Sequence, residues 1–402
     1  MADNSFASLG VSPFLMERLK EKNITEALDI QKMVIPALLK GESLIFRSAT
    51  GTGKTFAYLL PILKTLLEGE PKSINIPRCL IAAPTHELCS QIKGEADFLL
   101  RGTELKTALL IGQAQIARQV EILRKEKPHL IVGNPGRLLR LAMTGKLKLE
   151  GLEYLVIDEG DRLVSDELFE ETRGLIAGLR KNLPPKICFI SCSATLSPKS
   201  RERLLSLLDT GSEIKVIESN ENILKNQVEH WAFYSEDRDK LDTLRSFIAA
   251  CGALKRKGKL SRGRALIFSS RGREVQNIAG RLRRFKLDAA GLWGEMDRKT
   301  RKAALDDFRG GRIRFLVSSD LASRGLDIPD LDYVIGLDVG ESPEQYIHRS
   351  GRTARAGKRG VMVTIGNERE LRLLASLEKK LGIRVFPKQL YGGKIVAPAI
   401  LH

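Results

Sequence analysis

Two short stretches of the chain carry residue types that can move a phosphoryl group. The first, SATGTGKT (48–55), follows the apolar SLIF and precedes the helix-like FAYLLPILKTLL. Strand, glycine loop and helix, in that order, are the setting a phosphate-binding loop requires. Gly51 and Gly53 allow the backbone N–H groups of the loop, from Ser48 through Ala49, Thr50 and Thr52, to turn inward around phosphate oxygens. Lys54 is placed to reach the β and γ phosphates, Thr55 to offer its hydroxyl to Mg2+, and the helix N-terminus adds its positive end. The common pattern has a glycine six residues before the lysine; Ser48 stands there instead.

The second stretch, LVIDEGDRLV (155–164), is an apolar run ending in Asp158-Glu159-Gly160-Asp161. It reads as a buried strand that delivers carboxylates to a site at its C-terminal end. Asp158 suits Mg2+, held partly through water, because a hard dication takes oxygen ligands. Glu159 is the residue to orient and deprotonate an attacking water.

Both stretches need a scaffold, and the hydropathy pattern supplies one. Short apolar runs recur: CLIAAP (79–84), HLIVGN (129–134), YLVIDEG (154–160) and ICFISCSAT (187–195) in the first half, then RALIFSS (264–270), IRFLVSSD (313–320), YVIGLDV (333–339) and GVMVTIG (360–366) in the second. Amphipathic stretches such as ERLLSLLD separate them. Buried strands alternating with helices predict parallel sheets covered on both faces, and two such sets predict two α/β domains. The polar segment DTGSEIKVIESNENILKNQ marks the junction. The expected organisation is a nucleotide-binding domain over 1–215, a linker over 216–227, a second domain over 228–388 and a short tail over 389–402.

Charge separates the halves. Residues 1–220 carry 30 Lys+Arg against 27 Asp+Glu, a net +3, whereas residues 221–402 carry 36 against 22, a net +14. An excess of this size on one half favours a polyanion, since neutralised phosphates release condensed counterions. The basic run LKRKGKLSRGR (254–264) reads equally as a solvated loop or as a grip on phosphates. Five cysteines, none in a C-x-x-C, sit mostly inside apolar runs and read as buried reduced thiols. No apolar run is long enough to span a bilayer, and MADNSFASLG has neither a basic start nor an apolar stretch, so the expected setting is cytoplasmic, without a membrane.

At this point the chain resembles the DEAD-box family of ATP-dependent RNA helicases. Beyond the two stretches above, it carries in order PTHELCSQ (84–91), NPGRL (134–138), SAT (193–195), SSDLASRGLDIP (318–329) and YIHRSGRTARAG (346–357). Singly these are weak; the ordered set across two domains is specific. The resemblance implies two tandem RecA-like domains with ATP between them and RNA across both. It implies that Gln31 reads the adenine edge, with Phe6 and Ile24 supporting the base. Ser193 and Thr195 would hydrogen-bond Asp161 and couple hydrolysis to domain closure. Asp327 would bind the ribose, and Arg352 and Arg355 would be the arginine fingers. RNA contacts would come from Thr85, Gly112, Gly136 and Arg137 in the first domain and from Arg301 and Ser319 in the second. Such contacts are made to the sugar-phosphate backbone, so sequence is not read, and 2′-hydroxyls separate RNA from DNA.

The chain departs from the family pattern at several places. Gly160 replaces the alanine of the four-letter box; it subtracts a methyl group but no ligand. Its expected cost is backbone freedom of about 1 kcal/mol, and Gly160→Ala is expected to be tolerated. Ala27-Leu28-Asp29 stands for Pro-Thr-Pro, His86 for an arginine, Asn134 for a threonine, Gln113 for a glycine, Trp293 for a histidine and Ser319 for a threonine. These touch RNA or base contacts rather than phosphoryl chemistry. The expected function is an RNA-dependent ATPase that locally unwinds or remodels short RNA duplexes or RNA–protein complexes, with a protein or ribonucleoprotein partner. An ATP-gated RNA clamp with slow turnover and a DNA-directed helicase are the alternatives.

Overall fold

The computed structural model describes residues 5–49, 51–69, 76–112, 114–180, 187–208, 214–218, 226–253, 263–270, 272–323, 331–340, 342–354 and 359–398. The chain divides into two compact units, Met1–Glu221 and Asn222–His402.

Unit 1 is built on seven strands: β1 (Ser43–Arg47), β2 (Cys79–Ala82), β3 (Thr107–Leu110), β4 (Leu130–Gly133), β5 (Tyr154–Asp158), β6 (Cys188–Ser193) and β7 (Ile214–Glu218). Their order is β3-β4-β2-β5-β6-β1-β7, and every pairing is parallel. The central strands are buried at every residue, which is why they read as unbroken apolar runs. Their side chains still alternate between two cores. Leu44, Phe46, Ile81, Val132, Val156 and Ile190 pack with helices Pro13–Glu21, Asp29–Leu39, Lys54–Glu68 and His86–Leu99. Ile45, Leu80, Ile131, Leu155, Ile157 and Phe189 pack with helices Pro135–Met143, Phe169–Arg180 and Pro198–Leu208. Each fully buried Leu, Ile or Phe contributes roughly 1.5–3 kcal/mol, so the two layers fix the strand ends that carry the chemistry.

Because all seven strands run one way, the phosphate loop after β1, the Thr85 turn after β2, Gly112 after β3, Asn134-Pro135 after β4, the acidic box after β5 and Ser193-Thr195 at β6 share one carboxyl edge of the sheet. Register adds to this: Arg47 lies opposite Ser193, and Asp158 opposite Cys192.

Unit 2 holds β8 (Val228–Tyr234), β9 (Ala265–Phe268), β10 (Ala289–Leu292), β11 (Phe315–Ser318), β12 (Tyr333–Gly336), β13 (Gly360–Gly366), β14 (Val385–Tyr391) and β15 (Lys394–Val396). The order is β10-β11-β9-β12-β13-β8-β14-β15, parallel except for β15. One departure from expectation lies here. The segment expected as a tail from residue 389 is sheet as far as Val396. Gly392 and Gly393 adopt φ of 55° and 72°, the two successive positive values that a tight two-residue hairpin needs. That turn brings Lys394 back opposite Tyr391. Among the described residues no helix is long and apolar enough to cross a membrane.

Candidate active site

The phosphate loop takes the shape its glycines permit. Gly51 and Gly53 have φ of 82° and 77°, the left-handed region that favours glycine. Gly53 has a second constraint, since a Cβ there would lie 2.3 Å from Gln31 Nε2. Gln31 is buried in helix Asp29–Leu39; its amide donates to Gly53 O at 3.1 Å and its Oε1 accepts from Leu28 N at 2.9 Å. The residue implied to read adenine is therefore also a brace between that helix and the loop. Phe6 is only 3% exposed and sits in the core; Ile24 packs half-buried against the same core.

Lys54 donates to Ser48 O at 2.9 Å and to Ala49 O at 2.7 Å. Ser48 Oγ donates to Thr52 Oγ1, and Thr52 Oγ1 to Ala49 O, each at 2.7 Å. Burial pulls the Lys54 ammonium below its usual value, while the nearby Cys192, Asp158, Asp161 and Glu159 act in the opposite sense.

The acidic box is organised around Asp158, which is 4% exposed. Its Oδ1 accepts from Glu159 N at 2.8 Å and from Cys192 Sγ at 3.0 Å, and its Oδ2 accepts from Tyr58 OH at 2.8 Å. Glu159 adopts φ 50° and ψ 50°, a left-handed conformation that costs a non-glycine residue roughly 1–3 kcal/mol and recurs at functional sites. Asp161 N donates to Ser193 Oγ at 3.0 Å, and Asp161 Oδ2 accepts from Thr195 N at 3.3 Å and from the Thr195 hydroxyl. Ser193, Thr195 and Asp161 are thus brought together as their types suggested.

Gly160 adds close packing to backbone freedom: a Cβ there would lie 2.3 Å from Ser191 Oγ and 3.3 Å from Ser193 Oγ. Ser191 is fully buried, and its hydroxyl has no hydrogen-bond partner among the described residues. A methyl at position 160 would require that hydroxyl to turn aside, a contact that no spacing rule reveals.

Along the same edge, Thr85 caps helix His86–Leu99 through Leu88 N at 3.2 Å, and His86 Nε2 would lie 3.8 Å from a Cβ on Gly112. Asn134 Nδ2 donates to Ala83 O at 3.0 Å, tying the end of β4 to the end of β2. The Arg137 guanidinium turns inward, donating to Gly112 O at 2.7 Å, Ala114 O at 2.9 Å and Gln119 Oε1 at 2.9 Å. An arginine with five donors satisfies these loop carbonyls, which would otherwise be left without partners. Gly136 faces the Glu171 carboxylate, 2.9 Å from where its Cβ would be.

In unit 2, Arg301 donates to Ala322 O at 2.6 Å and Ser319 Oγ accepts from Ala322 N at 3.3 Å, so the two converge on one turn. Arg352 is buried at 6% exposure. Sequence reasoning missed Arg349, the largest fully buried side chain. It pairs with both carboxylate oxygens of Asp320 at 2.7 and 2.6 Å, and with Asp338 Oδ1 and O, each at 2.9 Å. Its helix pattern offered one signal, since it follows buried Tyr346 by three positions. Asp327, Arg355, Thr50 and Gln113 lie outside the described residues, as does most of the basic run 254–264.

Residues 28–204 match the DEAD/DEAH box helicase family, and residues 239–357 match the helicase conserved C-terminal domain. The chain is 36% identical over 386 residues to the DEAD-box ATP-dependent RNA helicase CshC of Bacillus cereus, covering 96% of this chain and 94% of that one. It belongs to the DEAD-box family of ATP-dependent RNA helicases. The probable ATP-dependent RNA helicase YfmL of Bacillus subtilis is 32% identical over 385 residues, 95% of this chain and 96% of that one. Among solved structures, S. cerevisiae Dbp5 bound to RNA and ADP BeF3 superposes with a TM-score of 0.81 over 96% of each chain at 23% identity, a likeness of fold. Both units are RecA-like α/β domains, and this DEAD-box helicase is an ATP-hydrolysing enzyme.

Proposed function

We propose that Asp158-Glu159-Gly160-Asp161 is a working hydrolytic centre, and that this DEAD-box helicase uses it to separate short RNA duplexes locally or to remodel RNA–protein complexes. One observation carries the reading. Lys54, Asp158 and Glu159 meet at the carboxyl edge of the sheet while Asp161 is hydrogen-bonded to both Ser193 and Thr195. The glycine subtracts volume and leaves every one of these groups in place.

In this reading Lys54 exchanges its loop carbonyls for the β and γ phosphates. Thr55 and Asp158 would hold Mg2+. Their hard oxygens suit it, and among the described residues no cluster of three or more His, Cys, Asp or Glu offers a protein cage. Mg2+ is commonly held by one or two carboxylates together with substrate phosphates. When bound, the ion neutralises charge on those phosphates. Glu159 accepts the proton of a water whose oxygen bonds to the γ-phosphorus as the β–γ bridging P–O bond breaks and ADP leaves. Arg352 and Arg355 belong to the same reading as cations for the spread negative charge. RNA is bound through its backbone by the loops at Thr85, Gly112, Gly136 and Ser319, aided by the net charge of the second half.

A cytoplasmic setting is part of the proposal; all five cysteines are free thiols, as a reducing compartment keeps them. Strand displacement from a short RNA duplex tests the function. Release that needs ATP and vanishes in Lys54→Ala is expected; tight RNA binding with an ATP analogue but no displacement would leave a clamp.

A further inference from the structure

Tyr58 lies one turn beyond the phosphate-loop residues on the helix that begins at Lys54, four residues from Lys54 and three from Thr55, so all three share a helix face. It is fully buried, and its hydroxyl donates to Asp158 Oδ2 at 2.8 Å. That partner is the carboxylate assigned above to the cation.

The chemistry of that carboxylate gives the arrangement a purpose. A carboxylate that binds through one oxygen must be kept from rotating about its Cβ–Cγ bond. Asp158 is gripped from both sides, by Tyr58 on Oδ2 and by the Glu159 amide and the Cys192 thiol on Oδ1. Burial and the adjacent Asp158 both push the phenol well above its usual range, so it stays a donor at any working pH.

We propose that Tyr58 is a positioning residue for the reaction, a buried hydrogen-bond donor that holds Asp158 in the orientation that receives the divalent cation. It touches neither the nucleotide nor the cation. The proposal rests on the reading of Asp158 as an oxygen donor to the cation. Partners of this kind behind a metal ligand are commonly worth about 10–100-fold in metal affinity.

The test is the binding of a fluorescent ADP analogue to the full chain, titrated with Mg2+ and repeated in EDTA, with melting temperature recorded in parallel. Tyr58→Phe removes one oxygen and keeps the ring, so packing in the core is retained. In Tyr58→Phe the Mg2+ concentration for half-maximal tightening rises by about tenfold, while affinity in EDTA stays within twofold of wild type. Asp158→Ala serves as the reference and loses the Mg2+ response altogether. An unchanged Mg2+ midpoint in Tyr58→Phe, whatever its melting temperature, overturns the positioning role and leaves Asp158 untouched. A normal Mg2+ response in Asp158→Ala instead overturns the underlying assignment, and the positioning role with it.

Discussion

Unit 1 holds the half-buried Lys54 and unit 2 the fully buried Arg349 near their sheet edges, and the two cations are treated in opposite ways. Lys54 in unit 1 faces loop carbonyls, with three carboxylates near enough to act on it but no ion pair among the described contacts. Arg349 in unit 2 is locked to Asp320 and Asp338 through both faces of its guanidinium. Burial lowers Lys54; the same burial on Arg349 is more than offset by Asp320 and Asp338, which raise it. The difference separates function from framework. A cation proposed to meet a phosphate is kept in exchangeable contacts, whereas a cation that joins the Asp320 turn, the end of β12 and the helix Pro343–Ser350 is fully matched. Charge type fits as well, since lysine is a compact point charge and arginine a rigid fork for paired carboxylates.

The largest effect expected of this comparison is on activity. Lys54→Ala should lower ATP turnover by roughly 10³-fold or more, because phosphoryl transfer depends on fixed charge at the phosphates. The loss should come with little change in melting temperature; a comparable loss of stability would mean that Lys54 is framework too. Arg349→Met should do the reverse, destabilising unit 2 by about 3–5 kcal/mol through unpaired buried carboxylates. Thermal unfolding checks this, and a shift no larger than that of an exposed arginine variant would break the contrast.

Smaller effects sharpen the account. Gly160→Ala should cost about 1–3 kcal/mol by overpacking against the Ser191 hydroxyl, and Ser191→Ala should recover most of it in the double variant. If Gly160→Ala alone melts like wild type, the close approach to Ser191 has no energetic weight. The two cations also predict opposite pH limbs. Burial alone would lift Asp338, but Arg349 and the Ser270 amide hold it below its ordinary 3.8. Its stabilisation is therefore complete above pH 3.8 and lost as pH falls through its folded value, and Asp338→Asn should flatten that acid limb. Lys54, lowered in the folded state from 10.5, releases its proton before the unfolded chain does, so stability rises with pH up to 10.5, a rise absent in Lys54→Met.

Much of this was legible in the sequence, for physical reasons. Strands buried on both faces must be apolar throughout, so β2, β4, β5, β6, β9, β11, β12 and β13 stood out as runs. Gly51 and Gly53 were legible as left-handed positions because few other residues adopt positive φ, and the pairing of Asp161 with Ser193 and Thr195 followed from the family resemblance. Short or edge strands such as β3 and β7 carried too little apolar signal. Arg137, Arg349 and Gly160 were not legible because their roles depend on neighbours far along the chain: an arginine beside a glycine-rich loop gives no sign of whether its fork turns outward to a phosphate or inward to Gly112 O. The hairpin after β14 hid in a segment too short to show a strand period, although Gly392-Gly393 was its visible mark.

The central claim is that the glycine-containing box hydrolyses ATP under the control of RNA. The direct measurement is steady-state ATP turnover by the full chain with no nucleic acid, with single-stranded RNA and with DNA of matched sequence, alongside Glu159→Gln. Strong stimulation by RNA alone, abolished in Glu159→Gln, is the predicted result. Turnover at background in all three conditions, or equal stimulation by DNA, would contradict it.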